Sequence, residues 1–182
     1  VKSISHRNNP IIPNQFTGIT RGCLTAPIEG NLNRKFRDQF DEFLALHYPL
    51  EYPGFCFVKI KDSRPDRAVE IGESITTALK ISKITVLLDE DVDIHNLNDV
   101  LHAIGSRWQP NRSSKIVDEA NGLSGDPSST ERGKGSRIII NATRNATEQA
   151  SGKPFPKMNI EILKEEFPNI LDAVEIKFRK FL

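Results

Sequence analysis

Ile84-Thr85-Val86-Leu87-Leu88, running into Asp89-Glu90-Asp91-Val92-Asp93, is the stretch on which the fold turns. An uncharged apolar and β-branched run that stops abruptly at acids reads as a buried strand ending at a sheet edge. Phe55–Ile60, Phe-Cys-Phe-Val-Lys-Ile, reads the same way. Between the two, Ser63-Arg64-Pro65 opens a helix, with Pro65 suited to its first turn. Ala68, Val69, Gly72, Ile75 and Leu79 form that helix's buried stripe. Downstream, Leu97, Val100, Leu101, Ile104 and Trp108 mark another helix, which Pro110 stops. Lys115–Val117 and Ile138–Ile140 are two further short strands. The β–α–β–α–β order between residues 55 and 118 predicts an α/β, three-layer domain. Its sheet is mainly parallel, and right-handed crossovers place helices on both faces.

The flanks are less regular. Val1–His6 alternates as an entry strand, and Pro10, Pro13, Gly18, Gly22, Pro27 and Gly30 then punctuate a loop, together residues 1–32. Asn33 is placed to cap a helix running to about His47, with Phe36, Phe40, Phe43, Leu44 and His47 on one face. Asn121–Gly135 reads as a surface loop and 141–158 as a polar connection, closing an α/β core over 33–158. Residues 159–182 read as a C-terminal helical tail, a helix pair or one helix kinked at Pro168. Its apolar residues are Ile162, Leu163, Phe167, Leu171, Val174, Phe178 and Phe181. That stripe either packs on its own sheet or meets a second copy, with Phe178 as the anchor of a two-fold homodimer. The 182 residues are expected to form a single domain.

Composition excludes several classes. Lys and Arg number 25 against 24 Asp and Glu, a net charge of +1, which argues against a nucleic-acid binder or an anionic-membrane binder. No apolar run approaches the roughly 18 residues of a spanning helix. Cys23 and Cys56 are too few for a disulfide scaffold, and a reduced cytoplasmic setting is the default. The chain begins at Val1 in sequence that already reads as structured, as a piece of a longer protein would.

The candidate chemistry is sparse. Asp89–Asp93 lies at the carboxyl end of a strand, where open α/β sheets bind ligands, and carboxylates there suit Mg²⁺. The competing reading makes Asp91 and Asp93 structural, organising the turn into the next helix and favouring its N-terminus. The second is preferred, because no other acids or histidines converge. His6, His47, His95 and His102 show no metal-ligand spacing, and His47 and His102 read as core-edge residues. Cys56 reads as inert packing inside a strand, and nothing in the sequence puts a base beside Cys23. Gly133-Lys134-Gly135-Ser136-Arg137 has the composition of a phosphate-binding turn. It lacks Walker spacing and precedes a strand, so a flexible loop is the simpler reading. The residues alone give an α/β domain without a self-contained catalytic set.

Three stretches carry a resemblance. Thr85–Ile94 followed by Asp99–Pro110 resembles the hydrophobic strand, D-E-D-V-D, D-V-L-W-A and T-R-x-x-P pattern of UbiD-type decarboxylases. Ile139-Ile140-Asn141-Ala142-Thr143-Arg144 is similar to that family's I-D-A-T-R. Val1–Ile11 is similar to its V-x-x-I-T-H-R-x-x-P-I. The resemblance implies the C-terminal domain of a carboxy-lyase that decarboxylates, or reversibly carboxylates, aromatic or α,β-unsaturated acids. Its implied cofactors are prenylated FMN, Mn²⁺ and, in some members, K⁺.

The family's catalytic Glu-Arg-Glu set, Mn²⁺ ligands and most flavin contacts lie upstream of the His6-Arg7-Asn8-Asn9-Pro10-Ile11 stretch. The resemblance therefore implies no catalytic residue in this chain, no cofactor on the isolated chain, and no activity without the other half. The implied partners are the upstream flavin-binding half, or a subunit carrying it, and a second copy in a homodimer or larger homo-oligomer. Arg107, through its carbonyl, and Asn141 match positions that hold K⁺ in ferulic-type members, although Asn141 replaces an Asp. Leu123 matches a loop that walls the substrate pocket. Thr77 stands where ferulic-type members have a Lys, which argues against that subgroup, and His102 replaces the usual Trp. Two other readings are a stand-alone, non-catalytic accessory subunit that completes a partner's site, and a Mg²⁺ enzyme built on Asp89–Asp93.

Overall fold

The computed structural model describes residues 3, 5, 7–9, 22–61, 63–117, 126–129, 131–156 and 159–179. The expected entry strand at Val1–His6, the loop to Arg21 and Leu123 lie wholly or largely outside these residues. Five strands form one sheet in the order β1-β2-β3-β5-β4. They are β1 (Phe43–His47), β2 (Phe55–Ile60), β3 (Ile84–Leu88), β4 (Ser114–Val117) and β5 (Arg137–Asn141). β2, β3 and β5 are parallel, with Cys56, Thr85 and Ile139 in one row and Phe57, Val86 and Ile140 in the next. β1 and β4 close the two edges antiparallel.

The period-two alternation of these strands sorts the core onto two faces. Cys56, Val58, Ile60, Leu87 and Ile139 face one way, against α1 (Gly22–Gln39) and α2 (Pro65–Ala78). Phe57, Val86, Leu88 and Ile140 face the other, against α3 (Leu97–Arg107), whose Val100 and Ala103 are buried. The three layers and the parallel centre are as the sequence predicts. Gly72 of α2 lies so close to the sheet that a Cβ there would stand 2.7 Å from Ile139 Cγ2.

Several expectations are corrected. The helix placed at Asn33–His47 is instead the end of α1, a turn, and β1. Phe36 and Phe40 belong to the helix side, while Phe43 and Leu46 belong to the strand, and all four are buried in one cluster. Asn33 is no cap. Its Nδ2 donates to Leu46 O (2.9 Å) and its Oδ1 accepts from Leu46 N (2.8 Å), satisfying the outer edge of β1. Arg37 Nε donates to Leu44 O, and Glu29 Oε2 accepts from Tyr48 N, so α1 covers that edge with polar side chains.

The third parallel strand is β5, not the 115–117 segment, which returns antiparallel as an edge. Leu101, expected on the buried stripe of α3, is 55% exposed, and His102 is exposed beside it. The cap of α3 is Asn96, whose side chain accepts from Asn98 N. The connection after β5 contains α4 (Arg144–Ser151), capped by Thr143 and ended by left-handed Gly152 at φ 66°. The tail is a helix pair, α5 (Asn159–Glu166) and α6 (Ile170–Phe178), and no residue of α6 is buried. Among the described residues no helix is long and apolar enough to cross a membrane.

Candidate functional site

Parallel strands deliver β3 and β5 side by side, so the residues just past Leu88 and Asn141 meet at one edge of the sheet. There Asp89 and Asp91 from the loop after β3 face Arg107, the last residue of α3, and Arg144, the first of α4. Arg107 Nη1 donates to Asp89 Oδ2 at 2.6 Å and to Asp91 Oδ1 at 3.0 Å, and Nη2 donates to Asp91 Oδ2 at 2.8 Å. Arg144 adds its backbone N–H to Asp89 Oδ2 (2.9 Å) and its Nη2 to Asp91 Oδ2 (2.8 Å). Phe155 lies against both guanidiniums, 5.6 Å from Arg107 and 5.7 Å from Arg144. Thr147 Oγ1 donates to the Arg107 carbonyl at 2.5 Å, tying α4 to the end of α3.

The electrostatics follow burial. Burial raises the Asp89 carboxyl above its ordinary value, against the pull of the Arg144 N–H and the Arg107 charge. Burial opposes ionisation of Asp91 too, but the Arg107 hydrogen bond and the Arg107 and Arg144 charges outweigh it and hold that carboxyl low. The same partners raise Arg107 despite its own burial. Four charged groups thus neutralise one another, and Asp89 and Asp91 are committed to guanidiniums. Asp89 and Asp91 act through ion pairs with Arg107 and Arg144, and not through the helix-entry turn expected of Asp91. Asp93 does form a local turn, accepting from His95 N at 2.9 Å. Among the described residues, no group of three or more His, Cys, Asp and Glu side chains is arranged to hold a metal ion.

The other candidates are scattered. Asn141, 1% exposed, accepts from Thr143 N (3.2 Å) and Thr143 Oγ1 (2.8 Å) through Oδ1. Both oxygens that the resemblance offers to K⁺, that one and the Arg107 carbonyl, therefore already take hydroxyl donors. His47 sits at the end of β1, its Nδ1 3.2 Å from Glu29 and its ring 4.3 Å from that of His95. Burial pushes the Cys56 thiol far up, which fits inert packing. Cys23 falls in α1, not in a loop.

At the opposite, amino edge, a cleft of about 630 Å³ lies between the starts of β3 and β5 and the 126–136 segment. Lys83 Nζ there meets Asp126 Oδ2 (2.6 Å) and Ser128 Oγ (2.5 Å), and Lys134 pairs with Glu131. The lysine of the Gly133–Arg137 turn is thus already neutralised, and buried Arg137 donates to the Thr76 carbonyl. The sequence reading missed the Arg107 and Arg144 partnership. Its one signal was the placing of two acids just past β3 and of Arg144 just past β5, with Arg107 at the end of the helix between them.

The family model for the 3-octaprenyl-4-hydroxybenzoate carboxy-lyase C-terminal domain matches residues 23–142. A phenolic acid decarboxylase of Bacillus subtilis is 26% identical over 160 residues, 84% of this chain and 34% of that protein. One from Sedimentibacter hydroxybenzoicus is 25% identical over 150 residues, 79% of this chain and 31% of its own length. The chain thus spans about a third of the curated relatives it matches. Among solved structures, vanillic acid decarboxylase of S. hydroxybenzoicus in its open form shares the fold at a TM-score of 0.64 and 21% identity. That match covers 79% of this chain and 31% of the other. The UbiD-class enzyme HmfF of Pelotomaculum thermopropionicum, in complex with FMN, aligns at a TM-score of 0.58 and 24% identity. It covers 63% of this chain and 26% of its own.

Proposed function

The chain belongs to the UbiD carboxy-lyase C-terminal domain family, and from that premise we propose that it is the C-terminal part of a decarboxylase of aromatic or α,β-unsaturated acids. The observation that carries this is the family match over residues 23–142, which spans the sheet from α1 to the end of β5. The catalytic groups and the Mn²⁺ ligands would come from the flavin-binding half, upstream on the same chain or on a partner subunit. Prenylated FMN bound there would supply the electron sink that lets CO₂ leave. The chain's own part is positional. The Asp89–Arg107–Asp91–Arg144 cluster fixes the ends of β3, α3 and α4 against one another, and Leu123 would wall the substrate pocket from the loop before β5. The proposal includes a cytoplasmic setting and a homodimer or larger homo-oligomer.

Asn141 Oδ1 already accepts two hydrogen bonds, from Thr143 N and Thr143 Oγ1, so a K⁺ there would displace one of them. The Arg107 carbonyl accepts one, from Thr147, and keeps a lone pair. No step is routed through K⁺. Comparing melting in KCl and in NaCl at equal ionic strength tests it, and a K⁺-specific rise would support that site.

Reconstitution tests the function. The isolated chain should neither release CO₂ from aromatic acids nor copurify with flavin. Combined with the flavin-binding half of the same protein and prenylated FMN, it should restore turnover. Near-stoichiometric flavin on the isolated chain, or a flavin half equally active without it, would overturn the reading.

A further inference from the structure

His47 and His95 lie far apart in sequence, yet the fold sets their rings side by side, with centroids 4.3 Å apart and planes tilted by 52°. We propose that the two imidazoles bind a divalent transition-metal ion of the Zn²⁺ or Ni²⁺ type, with water in its remaining positions. The inference does not depend on the decarboxylase reading.

His47 is oriented in advance. It ends β1, and its side chain is only 23% exposed. Its Nδ1 lies 3.2 Å from Glu29 Oε2 and 3.4 Å from Glu29 Oε1. A carboxylate can only accept, so the ring proton sits on Nδ1 and the neutral imidazole keeps its lone pair on Nε2. A carboxylate behind the ring is how metal-ligating histidines are commonly held, and it makes the ligating nitrogen more basic. Glu29 is itself fixed, because its Oε2 accepts from Tyr48 N at 2.9 Å. Among the described residues no group takes Nε2 of His47, which points away from Glu29.

His95 is placed by its neighbours. Val92 and Ile94 are buried in the core on the α3 face, and the His95 N–H donates to Asp93 Oδ1 at 2.9 Å. The backbone is thus held while the side chain is exposed, and among the described residues neither ring nitrogen has a hydrogen-bond partner. The spacing fits a shared ion. With metal–nitrogen bonds of about 2.0–2.1 Å, two imidazoles in neighbouring positions of one ion have centroids roughly 4.5–5 Å apart. The 4.3 Å separation falls a few tenths short, which a small turn of the exposed His95 side chain covers, and the 52° tilt is not that of a flat stack. Imidazole nitrogen suits Zn²⁺ and Ni²⁺, whereas Mg²⁺ prefers oxygen. Glu29 supports His47 and is not a ligand, so the protein supplies two ligands only. An ion there would join the loop before α3 to the end of β1 and, through Glu29, to α1.

The test is an NMR titration of the 182-residue chain with Zn²⁺, in a Cys23→Ser background that removes a competing thiol, with Mg²⁺ as the control ion. Zn²⁺ should shift the ring resonances of His47 and His95 saturably, leave those of exposed His102 in place, and raise the melting temperature by mass action. Mg²⁺ should do none of these. His95→Gln, at an exposed position, should weaken Zn²⁺ binding by roughly tenfold or more, while melting of the metal-free chain stays at its starting value. Glu29→Gln keeps an oxygen for Tyr48 N and should weaken binding by about tenfold. Absence of saturation below millimolar Zn²⁺, shifts at His102 equal to those at His47 and His95, or full affinity in either variant would overturn the proposal.

Discussion

Replacing Arg107 by Met isolates what one side chain does at the carboxyl edge of the sheet. The guanidinium is 3% exposed and is the common partner of Asp89 and Asp91. Removing it leaves Asp89, already raised by burial, without its main counter-charge. Breaking a buried pair from one side costs about 3–5 kcal/mol. Asp91 is partly open to water and keeps Arg144, so we expect the low end, about 3 kcal/mol, read as a fall in urea midpoint at constant m. Asp89→Asn in the Arg107→Met background should recover part of that loss, because it removes the stranded charge. A loss confined to a few tenths of a kcal/mol would mean that the cluster holds nothing together.

Single residues also set the acid limb. Asp126 is drawn down to about 2, first by the Lys83 hydrogen bond and then by the Ser128 N–H. A lowered folded-state value means stabilisation that is full above the unfolded carboxylate's pKa of about 3.9 and lost as pH falls towards 2. Asp91 acts in the same direction. Asp89, raised, acts in the opposite one: its contribution is present below the unfolded value and lost as pH rises through the folded one. Lys83→Met should therefore destabilise at pH 6, and most of that deficit should be gone at pH 2, in denaturant melts at both pH values. A deficit that persists unchanged into acid would assign Lys83 to packing instead.

At the scale of elements, Gly72 shows how closely a helix is set on the sheet. Gly72→Ala gains helix propensity worth up to about 1 kcal/mol. Against this, the new Cβ would lie 2.7 Å from Ile139 Cγ2 and 3.3 Å from Leu87 Cδ1, both on buried strands that have no room to retreat. Overpacking of that kind costs about 1–3 kcal/mol, so the clash wins and α2 or β5 must shift. A net loss of about 1–2 kcal/mol is expected in chemical denaturation. A stabilised variant would show that α2 lifts off the sheet without strain.

The same elements explain what the sequence could reveal. β2, β3, α2 and α3 are compact patterns bounded by Pro or acids, and their types were legible. The α1–β1 boundary was not, because Phe36, Phe40, Phe43 and His47 suit a 3.6-residue period as well as they suit a helix followed by a short strand. α4 is only eight residues long and mostly polar, so its one signal was the Thr143 cap. The direction of β4 depends on how the chain returns from the long 118–136 segment, which local pattern does not encode. The charge cluster was illegible for a related reason: Asp91 and Arg144 are 53 positions apart and meet only because β3 and β5 are neighbours.

At the scale of the whole molecule, the open question is what covers the tail. α5, α6 and the turn between them carry Ile162, Leu163, Phe167, Val174, Ile176 and Phe178 exposed, with Ile176 at 76% and Phe178 at 45%. Phe181 lies outside the described residues; the described part of the stripe does not pack into the chain's own sheet, which was one of the two expectations for it. An apolar face of this kind in a protein of balanced charge favours association. An obligate interface between two copies would bury roughly 2,000 Å² or more in total, whereas an incidental contact stays below about 800 Å². Because Phe178 is half-exposed within one copy, truncating it costs that copy little. Within an interface the same ring is an anchor, and such anchors cost about 2 kcal/mol or more when removed. Phe178→Ala should therefore shift sedimentation towards monomer by well over tenfold in dissociation constant, while the melting point of the dilute monomer barely moves. Ile176→Asp should do the same more strongly, since it places a charge at the most exposed apolar position of α6. If the wild-type chain sediments as a monomer at high micromolar concentration, the tail's partner is not a second copy. The flavin-binding half then becomes the surface to test against the same two variants.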